Sequence, residues 1–153
     1  MSRKNVLFLC NHNSARSIIA EVLLNDLGGD RYRAFSAGIR PGDGPHPMAL
    51  ETLRAHGHEI GEVRSKGAEL FTGPDAPTLH YVITLCDSVA QEDCPVWPGQ
   101  PERAQWRLPN PAAVAGSDAE KRAAFEELYA SLRRGLKIFA EDDERSLRNM
   151  ALA

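Results

Sequence analysis

A chain of 153 residues with 42% apolar and 25% charged side chains has the length of one domain and buries about 70% of the surface its unfolded form exposes, so it forms a core without disulfide or metal staples. Its net charge of −3 removes any broad electrostatic case for nucleic acid, and its longest apolar run is far short of the ~20 residues of a membrane span. Three cysteines, an odd number, argue against a static disulfide framework and for reactive, metal-binding or buried thiols.

The start, "MSRKNVLFLC", imitates a signal peptide, but its apolar part is shorter than an h-region of roughly 7–15 residues and no small-residue cleavage site follows. A cytoplasmic location is therefore expected. Residues 6–9 are a short apolar run between polar ones, which predicts a buried strand. From Ser17 onward Ile18, Ile19, Val22, Leu23 and Leu27 recur at helical spacing, and Gly28 with Gly29 supplies the stop. "YRAFSAG" at 32–38 predicts a second strand, and the Gly/Pro-rich loop after it leads to a helix near 48–56.

"YVITLC" at 81–86 is the third strand, and "AQWRLPNP" at 104–111 a weaker fourth ended by its prolines. Residues 118–139 carry Phe125, Leu128, Leu132, Leu136 and Phe139 on one face of an amphipathic closing helix. Strands alternating with helices imply one α/β domain over residues 1–153, a three-layer sandwich around a parallel sheet with right-handed crossovers. Ligands of such sheets bind outside the strands' carboxyl ends. Cys10 and Cys86 both fall at such ends.

The loop from Cys10 to Ser17 joins a strand to a helix, so several backbone N–H groups converge there and the helix N-terminus adds partial positive charge. Asn11, His12, Asn13, Ser14, Ala15, Arg16 and Ser17 form the candidate oxyanion cradle. Arg16 presents a planar fork to two oxygens of a tetrahedral anion, a geometry lysine cannot reproduce. Ser14 and Ser17 offer hydroxyls, Asn13 tolerates left-handed backbone, and His12 adds charge when protonated. A thiol in that field has its pKa lowered into the general range of ~3.5–7.5, which makes Cys10 a thiolate nucleophile.

The segments "VLFLCNHNSARSIIAE", "FSAG" and "VITLCDSVAQEDCP" together resemble the low-molecular-weight protein tyrosine phosphatase superfamily, specifically its arsenate reductase branch. "CPVWPGQP" and "NPAAV" follow in the expected order. The resemblance implies a four-stranded parallel sheet of flavodoxin-like topology flanked by helices, with arsenate, or phosphate or sulfate as a mimic, held in the first loop. It also implies a relay. Cys10 attacks arsenate, Cys86 displaces arsenite by forming a disulfide with Cys10, and Cys94 then attacks Cys86. Thioredoxin, or glutathione with glutaredoxin, resets the protein, and no tightly bound cofactor is required.

Cys86 and Cys94 are eight residues apart, so a helix would hold their Cα atoms ~12 Å apart and a strand ~26 Å. A disulfide needs less than about 7 Å, so the intervening "DSVAQED" has to loop back when the bridge forms. The same spacing is wider than the usual two to four residues between zinc-binding cysteines, which disfavours a zinc site built with His12, His46, His56, His58 or His80.

The chain also departs from the family. Phosphatases of this type carry an aspartate before the proline where this chain reads "NPAA", so Asn110 stands in place of a general acid. Asparagine cannot deliver a proton, and general acid help is typically worth about 10²–10⁴-fold. The aromatic wall for a phosphotyrosine ring is missing as well. Both absences weigh against the first alternative, a phosphatase, while Asn110 keeps open the second, a non-catalytic oxyanion or metalloid sensor. Asp87 and Asp118 are possible substitute acids, though a surface charge is the ordinary role of each. Glu21 and Ser36, with Asn13, match positions of a potassium site in some thioredoxin-linked reductases. The aspartate expected near residue 65 is replaced by "RSKG", which leaves Glu21 as a helix charge and Ser36 as a strand-end hydroxyl.

Overall fold

The first apolar run forms β1 (Lys4–Cys10), whose residues from Val6 onward are all buried. It leads into α1 (Arg16–Gly28), β2 (Tyr32–Gly38) and α2 (Pro47–Ala55). A 3₁₀ turn at Ala68–Phe71 precedes β3 (Tyr81–Thr84) and β4 (Glu102–Gln105). A second 3₁₀ turn at Pro111–Ala113 is followed by α3 (Asp118–Glu141). The structure is a computed structural model and describes residues 3–10, 15–38, 44–61, 65–73, 76–85, 101–109, 111–143 and 145.

The sheet is parallel throughout, in the order β2-β1-β3-β4, the α/β architecture expected. Strand order reverses between β1 and β3, so the crevice at the carboxyl ends of those two strands is the topological switch point where this architecture binds ligands. Cys10 ends β1 and pairs with Gly38 of β2. Leu85, just past β3, donates its N–H to the Leu9 carbonyl at 2.9 Å.

Alternation along the strands separates two cores. Val6, Phe8, Ala34, Tyr81, Ile83 and Ala104 face α1, α2 and α3, whereas Leu7, Leu9, Ala37 and Val82 pack against Ala68, Phe71 and Leu79. Among the described residues the third layer is therefore a 3₁₀ turn and adjoining chain. α1 lies between the sheet and α3 and buries side chains nearly all round, so it lacks the single apolar stripe of a surface helix.

Two boundaries differ from the sequence expectation. Gly28 belongs to α1 and Gly29 ends it with right-handed torsions (φ −60°), so the stop does not use the left-handed conformation glycine allows. The fourth strand is Glu102–Gln105, earlier than 104–111. Trp106 and Leu108 lie beyond the strand and pack against the helical core. The two later helices are capped by different chemistries. Ser117 and Glu120 form a reciprocal capping box at α3, while α2 is capped by a ring nitrogen of His46, which accepts from the Met48 N–H at 3.1 Å.

At the opposite end of the sheet from Cys10, the Asp143 carboxylate accepts hydrogen bonds from Lys4, Tyr32 and Tyr81, each at 3.0 Å, and Lys4 also donates to the Tyr81 hydroxyl at 3.2 Å. Lys4, Tyr32 and Tyr81 are the first residues of β1, β2 and β3, so one carboxylate ties three strand starts to the end of α3. Burial pulls the Asp143 carboxyl up, but these hydrogen bonds outweigh it and hold it below its ordinary 3.8.

Candidate active site

Cys10 is 3% exposed and Arg16 7% exposed. A buried guanidinium is uncommon unless it is hydrogen-bonded or charge-paired. One of its donors, Nη1, binds the Leu108 carbonyl at 3.0 Å, leaving further N–H groups of the fork for an anion. Ala15 occupies the N-cap position of α1, where it offers no side-chain acceptor, and the first turn holds no acidic residue. The amino end of α1 thus carries the partial positive charge and backbone donors suited to an oxyanion. Ala15 and Ser17 are buried beside Arg16.

Cys10 ends β1 and Arg16 begins α1, at the two ends of one connection at the switch point. Asn11, His12, Asn13 and Ser14, between them, lie outside the described residues, as do Cys86, Asp87, Cys94 and Asn110. Asp118 is exposed in the first turn of α3, where a carboxylate complements the helix dipole.

Glu21 and Ser36 come together, and with them a residue that sequence reasoning left aside. The Lys66 ammonium lies 3.6 Å from a Glu21 carboxylate oxygen and 3.5 Å from the Ser36 hydroxyl. The Glu21 and Lys66 side chains are each 13% exposed. Burial pushes the Glu21 carboxyl up, while the Lys66 charge and hydrogen bonds from Ser36 pull it down without cancelling the rise. Because an ammonium already supplies the positive charge at this carboxylate and hydroxyl, these residues do not fit a resident potassium ion. Lys66 is in turn fixed by its backbone, whose carbonyl accepts the N–H of Gly38, the pairing partner of Cys10, at 2.8 Å. The cluster therefore braces α1 and β2 behind the cradle.

The four described histidines have structural partners. His46 caps α2, and His80 accepts the Asn5 N–H at 2.9 Å. His56 stacks on Tyr129 and bonds Glu126, while His58 bonds Asp26 and the Tyr129 hydroxyl.

Residues 5–149 match the model of the low molecular weight phosphotyrosine protein phosphatase family. The chain belongs to that family. Within it, the chain is 36% identical over 147 residues to the arsenate reductase of Bacillus licheniformis, an alignment that covers 94% of this chain and 100% of that protein. The fold matches the crystal structure of the arsenate reductase from Archaeoglobus fulgidus with a TM-score of 0.70 at 23% identity, over 90% of this chain and 99% of that one. A thioredoxin-dependent arsenate reductase of Corynebacterium glutamicum matches with a TM-score of 0.58 at 27% identity, over 89% of this chain and 63% of that one. This family chain thus has the architecture its loop motif implied, with Cys10 and Arg16 at the carboxyl edge of its sheet.

Proposed function

We propose that the chain reduces arsenate to arsenite, with Cys10 as nucleophile, Arg16 as oxyanion clamp, and Cys86 and Cys94 as a disulfide relay. The observation that carries this reading is the placement of a buried cysteine at the end of β1 and a buried arginine at the start of α1, across the switch point of the sheet. The relatives named as arsenate reductases support the choice of substrate.

The Cys10 thiolate attacks arsenic(V), and one arsenate oxygen leaves as water. Arg16 and the amides of the cradle hold the remaining oxygens as charge shifts among them. Cys86 then attacks the Cys10 sulfur, the sulfur–arsenic bond breaks, and its electron pair departs with arsenic as arsenite. The two sulfurs have together given up two electrons and share a disulfide. The bond from Leu85 to Leu9 supports this step, because Leu85 and Leu9 immediately precede Cys86 and Cys10 in the sequence. Cys94 next attacks Cys86 and frees Cys10. The Cys86–Cys94 disulfide is then reduced by an external thiol, for which the thioredoxin-dependent Corynebacterium neighbour makes thioredoxin the first choice.

The test is arsenate-dependent NADPH oxidation, reconstituted in parallel with thioredoxin and thioredoxin reductase and with glutathione, glutaredoxin and glutathione reductase. Turnover with the thioredoxin arm and its loss in Cys10→Ser are expected. Hydrolysis of an aryl phosphate without arsenate-dependent oxidation would instead identify a phosphatase, and oxyanion binding without either reaction a sensor.

A further inference from the structure

We propose that Trp106 and Gly135 are positioning residues that set the place of Arg16. The inference rests on the reading of Arg16 as the oxyanion clamp. Gly135 lies in the interior of α3, where glycine is the least favourable residue apart from proline. Packing explains its presence: a β-carbon at this position would fall against Cη2 and Cζ2 of the Trp106 indole, well inside the ~3.5–4.0 Å at which two carbons attract. The missing side chain is therefore a seat for the ring.

From that seat the contacts run to the site. The backbone N–H of Trp106 donates to the Thr84 carbonyl at 2.7 Å, and that of Leu108 to the Leu85 carbonyl at 3.0 Å, so the segment after β4 continues along the end of β3. The Leu108 carbonyl in turn accepts the Arg16 Nη1 donor. Leu108 thereby joins, through its two backbone groups, the start of α1 to the strand end that precedes Cys86. Filling the seat at Gly135 displaces the indole, and the Leu108 carbonyl moves with it.

The experiment assays Gly135→Ala beside the unaltered chain, with thermal unfolding as the fold control. Misplacing a substrate-orienting group by roughly 1 Å costs up to about 100-fold, so kcat/KM for arsenate should fall about 10- to 100-fold. Gly135→Ala/Trp106→Phe should recover most of the loss, because a benzene ring leaves space that the indole fills. A purely structural role for Gly135 shifts the unfolding temperature without this recovery. Unchanged kcat/KM in Gly135→Ala, or a loss that Trp106→Phe leaves in place, overturns the proposal. If Gly135→Ala does not fold, Trp106→Leu in the otherwise unaltered chain decides: a severalfold fall in kcat/KM at retained fold supports the seat, and unchanged turnover overturns it. Failure of the unaltered chain to turn over arsenate is a distinct result, and removes the reading of Arg16 itself.

Discussion

Replacing Lys66 by methionine keeps most of its length and apolar stem but deletes the charge facing Glu21. At the 3.6 Å separation of the pair, two unit charges in an effective dielectric of ~20 attract by about 4–5 kcal/mol. Part of that is offset by the cost of holding the ammonium out of water, so Lys66→Met should lose about 2–4 kcal/mol, in line with breaking a buried ion pair from one side. Urea unfolding measures it: with a slope of about 2 kcal/mol/M, the midpoint falls by roughly 1–2 M. The pH dependence has a definite sign. Burial already raises the Glu21 carboxyl, and removing the ammonium raises it further, so the variant's folded state holds a proton its unfolded state releases. Its stability should therefore fall more steeply than that of the unaltered chain as pH rises from the ordinary carboxylate value of 4.5 toward neutrality. Lys66→Met/Glu21→Gln should regain most of the loss and abolish the added slope. A single variant within about 0.5 kcal/mol of the unaltered chain, or a double variant no better than the single, would refute the coupling.

Asp143→Ala should cost about 2–4 kcal/mol by leaving three donors at the strand starts without their acceptor, measured by urea unfolding. The folded Asp143 carboxyl sits below 3.8, so its contribution is present above that pH and is lost as pH falls through the lower folded value; Asp143→Asn should flatten this acid limb. Burial and the hydrogen bond to Asp143 push the Tyr32 phenol up to about 12, so its contribution is complete below pH 10 and disappears as pH rises through about 12. Asn110→Asp should raise aryl-phosphate hydrolysis by about 10²–10⁴-fold, the ordinary worth of a general acid, and alter arsenate turnover far less, because arsenate brings protons of its own; no rise in hydrolysis removes residue 110 from leaving-group chemistry. Hydrogen exchange across residues 86–94 should differ between reduced and oxidised protein, since a Cys86–Cys94 bridge requires that segment to bend back, and matching rates would count against the relay.

The parallel α/β fold was legible because its signals are local. β2 coincides with "YRAFSAG", and α3 carries its apolar face in regular register. β4 was misplaced because "ERAQ" pairs through its backbone at the sheet edge and has no β-branched side chain to announce it. The placement of Cys10 and Arg16 was legible for the same reason as the fold: six positions apart, they end one strand and begin the next helix. What escaped depends on contacts between distant segments. Lys66 meets Glu21 from 45 positions away, the Leu108 carbonyl meets Arg16 across 92, and neither a lone lysine nor a backbone carbonyl carries a sequence signature. Glycine at 135 reads as a weak point in a helix until the indole of Trp106 is seen against it.

The central claim is that the Cys10 sulfur bonds to arsenic and hands the oxidation to Cys86. It is tested most directly by adding arsenate to reduced Cys94→Ser protein with no external reductant, counting arsenite, and mapping disulfides by mass spectrometry. The account predicts one arsenite per chain and a trapped Cys10–Cys86 disulfide. Absence of arsenite, or release of arsenite with Cys10 still reduced, would contradict it.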